Sequence, residues 1–271
     1  MNKKSLCMCI LIFLTVTASA AMAQVSHSQH ESHSSAAADK SFHTKMSVPD
    51  EIMQDQIFPI KIFIQDEKGQ SVRQFDTFQE KLMHLILVSD DLGFFLHLHP
   101  VFKENSFFLT ETMLPDAGNY TLFCDYKPAN AGEQVSVLKL SVKGTVKPPA
   151  VPDTKKNEKI IGDVKVGMYL SPKTVKANEE TTVTFSLKQV SDDSPVKELL
   201  PFLGEKGHLV VIRKSEVLNV NDYIHAHAMK EGERSEIKFM TKFPGAGMYR
   251  LWCQFNYKNS VLTADFWINA E

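Results

Sequence analysis

His84-Leu85-Ile86-Leu87-Val88-Ser89-Asp90-Asp91-Leu92-Gly93-Phe94-Phe95-Leu96-His97-Leu98-His99 reads as an apolar strand, a polar turn and a second apolar strand ending in His-x-His. The pattern returns as His208-Leu209-Val210-Val211-Ile212, followed by Tyr223-Ile224-His225-Ala226-His227. Imidazole is a poor packing choice inside a hydrophobic strand, because its ring nitrogens must be paired when buried. Three such residues per copy therefore ask for a chemical reason, and a metal site framed by each copy is the reading that follows.

The repetition extends outward on both sides. Ser171-Pro172 aligns with Val48-Pro49 (172 − 49 = 123), and His208 with His84 (208 − 84 = 124). His225 and His227 align with His97 and His99 (225 − 97 = 128). Phe243-Pro244-Gly245-Ala246-Gly247-Met248-Tyr249-Arg250-Leu251-Trp252-Cys253 aligns with Leu114-Pro115-Asp116-Ala117-Gly118-Asn119-Tyr120-Thr121-Leu122-Phe123-Cys124 (253 − 124 = 129). The chain is an internal duplication.

In the first copy the alternation of apolar and polar residues predicts strands over 42–48, 57–65, 82–89, 94–99, 106–113, 118–126 and 135–142. Seven short strands in roughly a hundred residues indicate an all-β fold of immunoglobulin-like sandwich type. The 271-residue chain holds two of them, at residues 41–144 and 160–271, joined by a Pro/Lys linker at 145–159. Residues 1–23 read as a signal peptide: Lys3 and Lys4, an apolar run from Leu6 to Val16, then Ala21-Met22-Ala23. An uncleaved anchor is the runner-up, but the run is short for a span. Cys7 and Cys9 fall too early for lipid attachment. Residues 24–40, with His27, His30 and His33, lack apolar content and read as a disordered His/Ser-rich tail able to collect metal. The mature protein is expected in the periplasm or outside the cell, with no membrane span after cleavage. A net charge of −2 gives no footprint for nucleic acid.

Strand side chains alternate, so His97 and His99 share a face, and His84 joins them if it pairs opposite 97 or 99. The second hairpin is longer by 128 − 124 = 4 residues, an even number that preserves this relation. Tyr120 and Tyr249 read as tyrosine-corner residues at the start of the sixth strand. That strand lies beside the third in such a sandwich, which brings Cys124 toward His84, His97 and His99, and Cys253 toward His208, His225 and His227. Each domain is expected to hold a His3Cys-type site, for copper or alternatively zinc. No partner cysteine exists within either domain, and a Cys124–Cys253 disulfide is the competing use of the thiols. Blue-copper electron transfer is disfavoured, since neither Cys124 nor Cys253 is followed closely by His and Met.

Met83-His84-Leu85-Ile86-Leu87-Val88-Ser89-Asp90-Asp91-Leu92, His97-Leu98-His99-Pro100 and Leu114-Pro115-Asp116-Ala117-Gly118-Asn119-Tyr120 resemble exported bacterial proteins of the YtkA-like, immunoglobulin-like sandwich kind. The resemblance implies the fold, export and an association with metal handling. The functional expectation is copper sequestration or delivery without catalysis, the partner being an envelope metal transporter or related protein. The alternatives are an envelope interaction module without metal, and a metal-dependent enzyme.

Overall fold

Strands with two kinds of sequence build this molecule. Ile57–Asp66 alternates exposed and buried residues, as does Glu180–Gln189, so each covers a core with one face only. Met83–Ser89 and His208–Arg213 are buried at nearly every position, so both of their faces are covered. The computed structural model describes residues 41–229 and 235–271, apart from the side chain of His227. The expected signal peptide and His-rich tail lie outside the described residues.

The first sandwich contains β1 (Phe42–Ser47), β2 (Ile57–Asp66), β3 (Met83–Ser89), β4 (Phe95–Leu98), β5 (Val101–Lys103), β6 (Phe107–Met113), β7 (Gly118–Tyr126) and β8 (Gln134–Val142). Its two antiparallel sheets have the orders β1-β2-β6-β5 and β4-β3-β7-β8. The second contains β9 (Glu158–Ile161), β10 (Val164–Ser171), β11 (Glu180–Gln189), β12 (His208–Arg213), β13 (Tyr223–His227), β14 (Glu236–Lys242), β15 (Gly247–Tyr257) and β16 (Ser260–Ala270). Its sheets run β14-β11-β10-β9 and β13-β12-β15-β16. The fold is all-β and immunoglobulin-like, repeated twice. The short edge strands β5 and β9 add to the strands read from sequence. No helix among the described residues is long and apolar enough to cross a membrane.

Each sandwich fills its own core. Ile60, Ile62, Leu85, Leu87, Phe108 and Leu122 meet in the first, and Val183, Phe185, Leu209, Val211, Phe239 and Leu251 in the second. Tyr120 donates its hydroxyl to Asp116 O at 2.7 Å, and Tyr249 to Gly245 O at 2.7 Å, closing a tyrosine corner in each copy.

A third core joins the two. Ile86, Val88, Leu92 and Phe123 of the first sandwich pack against Val210, Ile212, Leu218, Trp252 and Trp267 of the second. Phe95 stacks on Trp252 with ring centroids 4.8 Å apart, and Phe123 on Tyr223 at 4.9 Å. Arg250 donates to Leu92 O across the boundary while its guanidinium is held by Asp265 at 2.5 Å. The sheets containing β3 and β12 are thus pressed face to face, and residues 37–271 form one compact unit.

Trp252 is only 3% exposed at this boundary. Trp252→Ala is expected to cost about 3–5 kcal/mol of stability, the usual range for a buried aromatic. Urea unfolding followed by circular dichroism checks this; a loss below about 1 kcal/mol would mean the face is not closely packed.

Candidate metal centre

The turn between β3 and β4 sets the hairpin register. Asp91 Oδ1 accepts from Ser89 Oγ at 2.5 Å and from Gly93 N at 2.9 Å, and Ser89 Oγ accepts from Phe94 N at 2.9 Å. Leu92 takes a positive φ of 62° within the turn. The pairing that follows puts His97 opposite Ile86. In the second copy Val210 pairs with His225, and His208 with the backbone of His227. Both pairings have the odd sum that lets the first histidine share a face with the later ones. The longer second hairpin is closed by a buried carboxylate, Asp222, which accepts from Arg213 Nε at 2.9 Å and Ser215 Oγ at 2.8 Å.

The shared face is the one pressed against the other sandwich. The histidines therefore converge at one place between the sandwiches. The ring of His84 lies 5.1 Å from His97, 5.0 Å from His99, 5.3 Å from His225 and 6.3 Å from His208, centroid to centroid. His208 and His225 are 5.5 Å apart. The expectation of one separate site per domain is corrected in this respect: five described imidazoles share one interdomain cluster. The side chain of His227 lies outside the described residues.

The cysteines are elsewhere. Leu85 pairs with Cys124 and Leu209 with Cys253, so both thiols point into the inner cores with those leucines. His84 pairs instead with Asp125, and His208 with Gln254. A register one residue away would have satisfied the His3Cys expectation; the observed one puts the sheet between sulfur and imidazole. Both cysteines are free, and no disulfide joins them. Burial raises both thiols far above their ordinary pKa.

Within the first copy the hydrogen bonds fix the ring tautomers. His84 Nε2 lies 3.2 Å from Phe78 O and can only donate to it. His97 Nδ1 donates to Gln254 Oε1 at 2.7 Å, and the Gln254 amide is held by Nε2 donating to Thr263 Oγ1 at 3.1 Å. That leaves the lone pairs of His84 Nδ1 and His97 Nε2 facing one another at 2.9 Å. His99 Nε2 is buried without a hydrogen-bond partner. One nitrogen from each of the three rings lies within 4.8 Å of the others.

In the second copy His208 Nδ1 lies 3.3 Å from His225 Nε2, and His225 Nδ1 donates to Asp125 Oδ2 at 3.1 Å. Asp125 also accepts from the Tyr223 hydroxyl at 3.2 Å. Asp125 and Gln254 occupy equivalent positions in the duplication (254 − 125 = 129), and each serves a histidine of the other sandwich. Phe78 and Phe202 are likewise equivalent, flanking His84 at 4.9 Å and His208 at 5.3 Å. Asp125 and Gln254 were not singled out from sequence. The available signal was a polar residue directly after each cysteine, inside an otherwise apolar strand.

Burial holds His84, His97 and His99 neutral. His84 is brought down to about 2, chiefly by burial and then by neighbouring His225. His97 lies well below its ordinary value through burial and then His99. His99 is lowered to about 4 by burial, followed by Lys81 and His225. The unfolded chain takes up these protons near pH 6.5, whereas the folded chain refuses them until lower pH. The stability that depends on these three neutral rings is therefore fully present above pH 6.5. It is expected to fall on acidification, through about pH 4 for His99 and onward toward pH 2 for His84. Urea midpoints measured from pH 7.5 to 4 check the sign; a midpoint that stays level or rises toward pH 4 contradicts it. Iodoacetamide is expected to leave Cys124 and Cys253 unmodified in the native chain and to label both in denaturant, read by mass spectrometry.

Solved structures similar to this chain include an Escherichia coli adhesin, FdeC, at 14% identity, covering 84% of this chain and 64% of that one with a TM-score of 0.28. A two-domain fibronectin type III segment from chicken tenascin matches at 12% identity, covering 83% and 98% with a TM-score of 0.23. The D00-D0 domain of intimin matches at 10% identity, covering 84% and 100% with a TM-score of 0.22. The chain thus spans less than two thirds of the FdeC structure's length. A search of curated proteins finds no match. The model of one family matches twice, over residues 35–144 and 160–271, in step with the duplication; by that match the chain belongs to the family described as Domain of unknown function (DUF8832).

Proposed function

We propose that this chain is an exported metal-binding protein that holds a late transition-metal ion among the histidines between its two sandwiches. The observation that supports it most is the pair of facing lone pairs on His84 Nδ1 and His97 Nε2 at 2.9 Å, beside the unpartnered His99 Nε2. Two neutral imidazoles turned this way repel each other, and a cation between them removes the repulsion. Metal–imidazole bonds of about 2.0–2.1 Å in tetrahedral array span roughly 3.3 Å between nitrogens, so a small opening of the pair admits an ion. Each ring nitrogen turned away from the centre already donates to an oxygen in two of the rings, which is how ligating histidines are commonly fixed.

The donor set is nitrogen only. Imidazole suits copper, zinc, nickel and iron, and copper stands highest in affinity. Copper is the first choice and zinc the alternative. Calcium and magnesium want oxygen ligands and are disfavoured. His208 and His225, with the His227 position, form the related half of the centre. The signal-like residues 1–23 and the YtkA-like resemblance support export to the periplasm or beyond, where the ion would be sequestered or passed to an envelope partner.

A second reading is an interaction module. Ile57, Val101 and Met113 are exposed on the outer face of the β2-β6-β5 sheet, with Ile57 directly opposite Met113. That face would dock an apolar segment of an envelope protein, independent of the histidines.

Loading the full chain with Cu(II) or Zn(II), followed by desalting and elemental analysis, separates the two. Binding at one or two ions per chain, lost in a His84→Ala/His97→Ala/His99→Ala variant and kept in Cys124→Ala, is the expected result. No bound ion in the parent chain, or equal loading of the triple variant, would sink the metal reading.

A further inference from the structure

The residues that orient the imidazoles come from the opposite sandwich. Gln254 lies beside His208 on the second sandwich but accepts from His97 of the first. Asp125 lies beside His84 on the first sandwich but accepts from His225 of the second. Both are nearly fully buried, and each acceptor meets its histidine only while the two sandwiches are docked. Without Gln254, His97 loses the bond that puts its proton on Nδ1 and its lone pair toward His84.

We propose that the centre is obligately shared: Gln254 positions His97 across the boundary, Asp125 positions His225, and ion capture and sandwich docking are a single coupled equilibrium. This rests on the metal reading above and goes beyond it by assigning Asp125 and Gln254 as positioning residues. By reciprocity, whatever docking contributes to ion affinity the ion returns to docking. The two crossings differ in kind. A carboxylate behind His225 makes that ring a stronger donor than the amide behind His97 makes its own.

The test uses the full chain, with Cu(II) and Zn(II) titrated separately against a chromophoric chelator. Gln254→Leu is expected to weaken binding about ten- to a hundredfold, the usual cost of losing such a partner. Gln254→Glu, which restores an acceptor for His97 Nδ1, is expected to return affinity to the parent value or above it; a residue that merely packs would not distinguish the two replacements in this way. Hydrogen exchange supplies a second readout. In the parent chain, the ion should slow exchange of backbone amides in β12 and β15 of the second sandwich, and Gln254→Leu should need about ten- to a hundredfold more ion for the same slowing. Parent-like affinity in Gln254→Leu, alongside loss in His97→Ala, overturns the shared centre and leaves the metal reading standing. Absence of binding in the parent overturns both. Should Gln254→Leu fail to fold, Thr263→Val removes the hydroxyl that holds the Gln254 amide. A several-fold loss there supports the proposal, and unchanged affinity overturns it.

Discussion

The face-to-face burial of the β3 and β12 sheets is the constraint from which the rest of the molecule follows. A strand in an ordinary sandwich hides one face and wets the other. Here Ile86, Val88 and Phe123 meet Val210, Ile212 and Trp252, so these sheets have no wet face over most of their area. Any polar group on that face must find a partner inside the protein. His84 is fully buried and His208 is 1% exposed, and both sit at the end of this dry layer. For His84 the surroundings dictate which ring nitrogen carries the proton, since Nε2 faces Phe78 O. The stacked pairs Phe95–Trp252 and Phe123–Tyr223 hold the layer closed with flat contacts that resist sliding.

Most of the local structure was legible from short-range patterns. The duplication follows from self-similarity and the two hairpins with His-x-His from alternation and turn chemistry, while the tyrosine corners and the adjacency of β3 with β7 follow from the sandwich topology those strands imply. The odd pairing sum that sets His84 with His97 and His99 entered only as a condition on the hairpin, and the Ile86–His97 pairing meets it. The β3–β7 register was not legible. Those strands are joined by some thirty residues, and Cys124 and Asp125 are adjacent, so a shift of one residue decides which of them shares a face with His84. The placement of both cysteines inward turned on that single step.

The interdomain layer was in the sequence as well, in a form easily passed over. His84-Leu85-Ile86-Leu87-Val88 and His208-Leu209-Val210-Val211-Ile212 are continuous apolar runs, whereas β2 and β11 alternate. Continuous runs belong to strands buried on both faces. Two sandwiches that each carry one such sheet must either hide it against each other or leave a large apolar face in water. That inference merges two half-sites into one cluster, and it depends on tertiary packing that no single window of sequence contains.

Placing the thiols inward leaves imidazole alone at the centre, and charge then becomes the deciding term. The duplication offers two equivalent positions, yet only one holds a carboxylate: Asp125, with Gln254 at its counterpart. A carboxylate at both positions would bury two like charges at one centre, and each would have to be desolvated. One carboxylate is tolerable because the His225 ring and the Tyr223 hydroxyl both donate to it. The glutamine gives His97 the acceptor it needs without a second charge. One carboxylate at the centre rather than two lets the sheets close without an ion, yet leaves an attraction for a cation once one arrives. Breaking the symmetry at this one pair reconciles a stable metal-free fold with an electrostatic bias toward filling it.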